Sequence, residues 1–146
     1  MNLQSFTKFF PSKKFCEEHF VSFRIRAGIC CPECRFRKHY WLPKKSLFQC
    51  KCCGHRISLR SGTIMEHSKL PIWCWYIGIF LVLTESKSLS IKELQKVLGH
   101  KRYEPIWLMV SKIRIKVRTF FAGENEYAND PAAAIENFFS VSNPNG

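Results

Sequence analysis

A chain of 146 residues, 46% of them hydrophobic, has room for one domain or two small ones, and it carries a net charge of +12 with a pI near 9.6. The charge is uneven: residues 1–122 hold all 23 Lys and Arg against seven acids, a surplus of 16, whereas residues 123–146 hold four acids and no base. A polycation interleaved with Trp, Tyr, Phe and His exceeds what solubility demands and points to a polyanionic partner, nucleic acid ahead of an anionic membrane.

The opening MNLQSFTKFFPSKK has no apolar run flanked by a cleavage site, so it reads as neither signal nor anchor. Eight cysteines without such a signal point to a reducing compartment. Pro11 and Ser12 then open a short amphipathic helix to about Phe23, with Phe15, Cys16, Phe20, Val21 and Phe23 as an imperfect stripe, expected to pack on the cysteine-bearing segment that begins near Cys31.

That segment, CPECRFRKHYWLPKKSLFQCKCC from Cys31 to Cys53, organises the chain. Two Cys-x-x-Cys pairs, Cys31/Cys34 and Cys50/Cys53, stand fifteen residues apart. Each pair offers two sulfurs at tight-turn distance, and the intervening residues suffice for a hairpin that folds one pair onto the other. That is the spacing of a four-thiolate structural Zn²⁺ site, closed to substrate. Disulfides and scattered buried thiols are the alternatives; Cys30 and Cys52 blur the register, and His55 is a competing ligand. His39–Leu42 and Ser46–Cys50 read as paired strands about Pro43-Lys44-Lys45, with Tyr40, Leu42 and Phe48 inward. A third strand through Ile57 and Leu59 ends at Gly62. Arg56, Arg60 and Lys69 are the phosphate-contact candidates on this side.

Leu70–Leu83 is an apolar run too short to span a bilayer. It reads as a buried helix with Pro71 in its first turn, Trp73, Tyr76, Ile77, Phe80 and Leu83 on overlapping faces, and Cys74 in the core. Ser90-Ile-Lys-Glu93 is a capping box; Ile91, Leu94, Val97 and Leu98 form one apolar face, and Gly99 ends the helix. After the turn Gly99–Arg102, a further helix starts near Glu104 and Pro105 and keeps the stripe Ile106, Val110, Ile113, Val117. The strict alternation from Lys112 to Arg118 also suits a strand, but the longer stripe favours helix, with Lys112, Arg114, Lys116 and Arg118 splayed around it. This is helix-turn-helix grammar. Lys101, Arg102, Tyr103, Lys112 and Arg114 are then placed toward a DNA groove. Beyond it, Asp130-Pro131 starts a short helix to Phe139, and SNPNG is expected to be disordered.

The expected architecture is therefore small α+β: a three-stranded antiparallel zinc ribbon followed by a three-helix, helix-turn-helix bundle. Its segments are an N-terminal helix over 1–28, the ribbon over 29–62, the bundle over 63–122 and an acidic, partly disordered tail over 123–146.

Taken together, CPEC and CKCC, then ISLRSGTIMEHSKLPIWCWYIGIFLV, LSIKELQKVLG and WLMVSKIRIKV resemble the N-terminal region of bacterial insertion-sequence transposases of the ISXO-like, DDE-type kind, over about Cys31 to Val117. The resemblance implies recognition of an element's terminal inverted repeats in double-stranded DNA, in the cytoplasm near the nucleoid, alone, as a dimer or beside a full-length transposase. It also implies that strand transfer belongs to a further domain whose carboxylates hold two Mg²⁺ ions. Here the chain departs, running into AGENEYANDPAA with Asp130 as its one aspartate and Glu124 and Glu126 in a loop. No two-metal site assembles from these residues, so the expectation is DNA binding without catalysis. Other readings are a stand-alone transcription regulator, an interaction adaptor using the aromatic helix with Phe138 and Phe139, and thiol redox chemistry.

Overall fold

The computed structural model describes residues 3–85, 88–120 and 131–140. In chain order it has helices α1 (Gln4–Phe9) and α2 (Lys13–Ala27), strands β1 (His39–Leu42), β2 (Leu47–Cys50) and β3 (Arg56–Ser58), then helices α3 (Ile72–Glu85), α4 (Ile91–Leu98), α5 (Tyr103–Phe120) and α6 (Pro131–Ser140).

Helix α3 is the hub, with α2, α5 and α6 packed against it. Trp75, Tyr76, Ile79, Phe80, Leu81 and Val82 are all buried, which explains the unbroken apolar run: a helix with neighbours on every side has no face to leave polar. Where α5 crosses, Gly78 leaves the space into which Met109 and Ile113 fit; a Cβ there would meet Met109 Cε at 2.8 Å. Trp75 Nε1 donates to Ser68 Oγ at 3.0 Å, so the indole is buried with its polar atom satisfied.

Helix α2 starts where expected, its Ser12 Oγ accepting the Phe15 N–H at 3.1 Å. It packs on α3 and not, as expected, on the ribbon: Phe20 stacks on Phe139 of α6, and His19 Nδ1 meets Tyr76 Oη at 2.8 Å. Toward the ribbon it sends Arg24, whose guanidinium donates to the Ser61 carbonyl at 2.9 Å. Helix α1 is a further correction. Six residues long and without a side-chain cap, it carries no local signal, yet Phe6 and the following Phe10 are buried against Phe80 and Tyr76. The expected bundle of three helices is α3, α4 and α5; among the described residues there are six, because α1, α2 and α6 close over α3.

The sheet is antiparallel in the order β1-β2-β3, with Trp41 opposite Phe48 and Phe48 opposite Ile57. Residues opposite one another share a face, so the inner face is Trp41, Phe48 and Ile57. Tyr40 was expected inward; it faces outward, half exposed, with Lys51 Nζ 4.9 Å above its ring. The alternation was legible, but its phase depended on pairing.

Ser90 Oγ accepts the Glu93 N–H at 3.4 Å to begin α4, and Gly99 ends it in the left-handed region at φ 65°. Leu94 and Leu98 are buried; Val97, expected beside them, is 43% exposed. The alternating stretch 112–118 is helical, as the longer stripe required. Helix α6 covers the expected Pro131–Phe139, but it is part of the core: Ile135 and Phe138 are fully buried. The expectations for Glu124, Glu126, Asp130 and SNPNG lie outside the described residues.

Candidate metal centre and basic surface

The two knuckles are built alike. In the first, Cys31 N–H donates to Phe36 O at 3.0 Å and Arg35 N–H to Cys31 O at 2.8 Å; in the second, Cys50 N–H donates to His55 O at 2.8 Å and Gly54 N–H to Cys50 O at 3.1 Å. Each turns back through a left-handed residue just after its second cysteine, Arg35 at φ 64° and Gly54 at φ 78°. Glycine takes that conformation freely and arginine does not. The hairpin aligns them, because β2 ends at Cys50, Cys50 pairs with His39, and Lys51 N–H donates to Lys38 O at 3.0 Å.

The result brings together the four expected sulfurs. Cys31 Sγ lies 3.6 Å from Cys53 Sγ and Cys34 Sγ 3.5 Å from Cys50 Sγ, and all four ligand atoms lie within 4.8 Å of one another. A tetrahedron with Zn–S bonds of about 2.3 Å has S–S edges of about 3.8 Å, so the set fits a thiolate-bound metal. The Cys52 N–H donates to Cys50 Sγ at 3.4 Å, stabilising negative charge there. Burial works to raise the Cys50 thiol, but hydrogen bonds from the Cys53 and Cys52 backbone and from Cys34 and Cys53 outweigh it and hold it down at about 6. Against backbone hydrogen bonds from Phe36 and His55, the Cys34 and Cys53 thiols are instead pushed up by burial and by the neighbouring thiols. The four sulfurs thus share charge unevenly, and a bound metal would be what holds all of them as thiolates.

Cys30 and Cys52 stay outside the group, exposed, with Cys30 Sγ 3.6 Å from Arg35 O; His55 contributes its carbonyl. None of the eight cysteines is in a disulfide. The hairpin, by fixing which sulfur faces inward, resolves the register that spacing left open. His39 was missed: both ring nitrogens are buried without a hydrogen-bond partner, directly across from Cys50.

The basic candidates divide. Arg56 and Lys69 are exposed, while the Arg60 guanidinium is half buried and donates to Ser68 O at 2.9 Å. Burial lowers its pKa, as it does that of Arg24. Lys101, Arg102 and Tyr103 are exposed in succession. Their turn is held by Gln95 Nε2 donating to His100 O at 3.1 Å and by Arg102 N–H donating to His100 Nδ1 at 3.2 Å. Lys112 is exposed and Arg114 partly so on α5; among the described residues none of these cations is in an ion pair. Lys116 was expected to splay outward. Instead its ammonium sits 4.5 Å over the Phe138 ring, where burial lowers its pKa to about 8. Trp107 and Leu108, half exposed beside these cations, were passed over because they fall off the apolar stripe.

The aromatic contacts expected of an adaptor are spent internally: Phe138 is buried, Phe139 stacks on Phe20, and Trp75, Tyr76 and Phe80 are core. Among the described residues no helix is long and apolar enough to cross a membrane.

No family model matches the chain, and no solved structure matches it. Over 97 residues it is 26% identical to a protein of Halobacterium salinarum described as an uncharacterized protein in transposable element ISH50. The match covers 64% of this chain and 33% of that protein, so the chain spans about a third of the length of the relative. The similarity is thus to a protein of a transposable element, and the four-cysteine cluster of this small α+β fold is compatible with zinc.

Proposed function

We propose that the chain is a DNA-binding module of a transposable element, reading the element's terminal inverted repeats and carrying no strand-transfer chemistry of its own. The observation that carries this reading is the turn after α4 with the outer side of α5, where Lys101, Arg102, Tyr103 and Lys112 stand exposed and unpaired with acids among the described residues. Helix α5, with 18 residues, is about 27 Å long, and a helix about 10–12 Å across enters a major groove about 12 Å wide. In this reading α4, the turn and α5 act as a helix-turn-helix, with basic side chains gripping phosphates and the front of α5 meeting base edges. Zn²⁺, held by Cys31, Cys34, Cys50 and Cys53, supplies a cross-link that keeps the ribbon and its exposed Arg56 in place. The relative's place in a transposable element supports the setting; action in the cytoplasm at the cell's DNA, with a second copy or a full-length transposase as partner, is part of the same proposal. The absence of catalysis rests on the carboxylates, of which Asp130 is the one aspartate.

The test is a titration of zinc-loaded protein against duplex from the ends of the encoding element and against scrambled duplex of equal length, at low and moderate salt. Tighter binding to the end duplex at both salts is expected. Equal affinity for both duplexes, collapsing with salt, would reduce the function to non-specific charge.

A further inference from the structure

The outer side of α5 carries apolar side chains that the core does not use, in two rows about 100° apart around the helix, Tyr103 with Trp107 and Leu108 with Ile115. Ile106, Met109, Val110 and Ile113 are 0–1% exposed and face inward; round the helix from them, Tyr103 is 43%, Trp107 47%, Leu108 45% and Ile115 62% exposed. On a protein of such high charge, four large apolar side chains exposed on one helix mark a contact surface. Its surroundings identify the kind of partner. Lys101, Arg102, Lys112, Arg114 and Arg118 border these rows, and the one carboxylate of α5, Glu104, lies exposed between them, three residues before Trp107 and four before Leu108. Exposed apolar side chains with cationic borders complement a major groove, whose rims are phosphate and whose floor carries one apolar group, the C5-methyl of thymine, while the carboxylate between them suits a base-edge donor such as the cytosine N4 amino group.

We propose that Trp107 and Leu108 read thymine C5-methyl groups, so that thymine positions define part of the site. This rests on the DNA-binding reading above. Both residues lie one turn into α5 from Lys101, Arg102 and Tyr103, the depth at which a helix anchored on phosphate by its leading turn meets base edges. Neither is needed to bury the core, so they are specificity residues and not scaffold.

Uracil tests this cleanly, since deoxyuridine pairs as thymidine does but lacks the methyl group. The probes are alternating dA·dT duplex, the same duplex with deoxyuridine throughout, alternating dG·dC duplex, and dG·dC duplex carrying 5-methylcytosine. Covering one methyl group is worth about a fourfold change in affinity. The zinc-loaded wild type is expected to bind thymine duplex at least about fourfold more tightly than uracil duplex, and to gain on methylation of cytosine. Trp107→Ala and Leu108→Ala, with unchanged circular dichroism and zinc content, should each shrink the difference while leaving the salt dependence intact. Salt-dependent binding that is equal on thymine and uracil duplexes overturns this inference and leaves the DNA reading standing. A thymine preference unaltered in both variants overturns the assignment to these residues. Failure to bind any duplex at low salt overturns the DNA reading itself, and this inference with it.

Discussion

The ribbon and the helical body reach order by different physics. Residues 31–59 bury Cys31, Phe48, Cys50, Ile57 and Leu59, and two of those five are candidate metal ligands. The helical body buries a contiguous cluster from Phe6 to Phe138 around α3. A sheet with three or four residues to a strand cannot offset its own conformational entropy by apolar burial, so a metal held by the four sulfurs would substitute a few strong bonds for many weak ones. The lesson is that ligand spacing is local and readable, whereas a core built from six helices is a property of how they meet.

The sharpest way to break the comparison is to disable the four-sulfur cluster. Chelation, or Cys50→Ser, should cost the ribbon on the order of 10 kcal/mol of folding free energy. Hydrogen exchange is expected to show β1, β2 and β3 losing protection while α3 and α5 keep it. Loss of protection in the helices at the same chelator concentration would show one cooperative unit where we describe two.

Phe48 measures how far the regions are joined, because it lies in the sheet yet belongs to the helical core. Phe48→Ala should cost about 3–5 kcal/mol, read as a lower denaturant midpoint for the ribbon and, through the lost contact, a smaller drop for the helices.

His19 probes the body independently of the sulfurs. Its Nε2 lies 3.0 Å from Glu136 Oε1, and Arg26 reaches the same oxygen at 2.8 Å. Burial lowers the His19 pKa below the ordinary 6.5, with Glu136 opposing and Arg26 assisting. The folded state then binds fewer protons than the unfolded one, so stability is complete above pH 6.5 and falls as pH drops through that value toward the lowered one. The slope is at most about 1.4 kcal/mol per pH unit. Protection of α6 amides should follow this curve, and His19→Gln should flatten it.

The smallest effect lies between the two knuckles. Arg35→Gly relieves a left-handed arginine and should strengthen metal retention by about 1 kcal/mol, while Gly54→Ala should weaken it by a similar amount. Competition with a chelating dye reads both. Equal responses in sign would mean that the knuckles are not equivalent.

Much of the site was legible because its signals are local. Cys-x-x-Cys spacing, the Ser90 cap, Gly99 and Pro71 each act within a few residues, and the structure has them as read. Where reading failed, a partner distant in sequence made the decision. Tyr40 faces outward because β1 registers Trp41, not Tyr40, against Phe48. Lys116 turns inward because Phe138 lies beneath it, and Val97 stays exposed because α5 covers Leu94 and Leu98 instead.

By itself, then, the chain determined which four sulfurs come together, where most helices begin and the sign of the surface charge, since these follow from covalent spacing, capping and composition. Only the tertiary structure decided that α1 and α6 belong to the core, that Arg60 holds Ser68, and that Trp107 and Leu108 face solvent among cations. Burial is a property of pairs of surfaces, and a single segment does not record which of its faces will find the other.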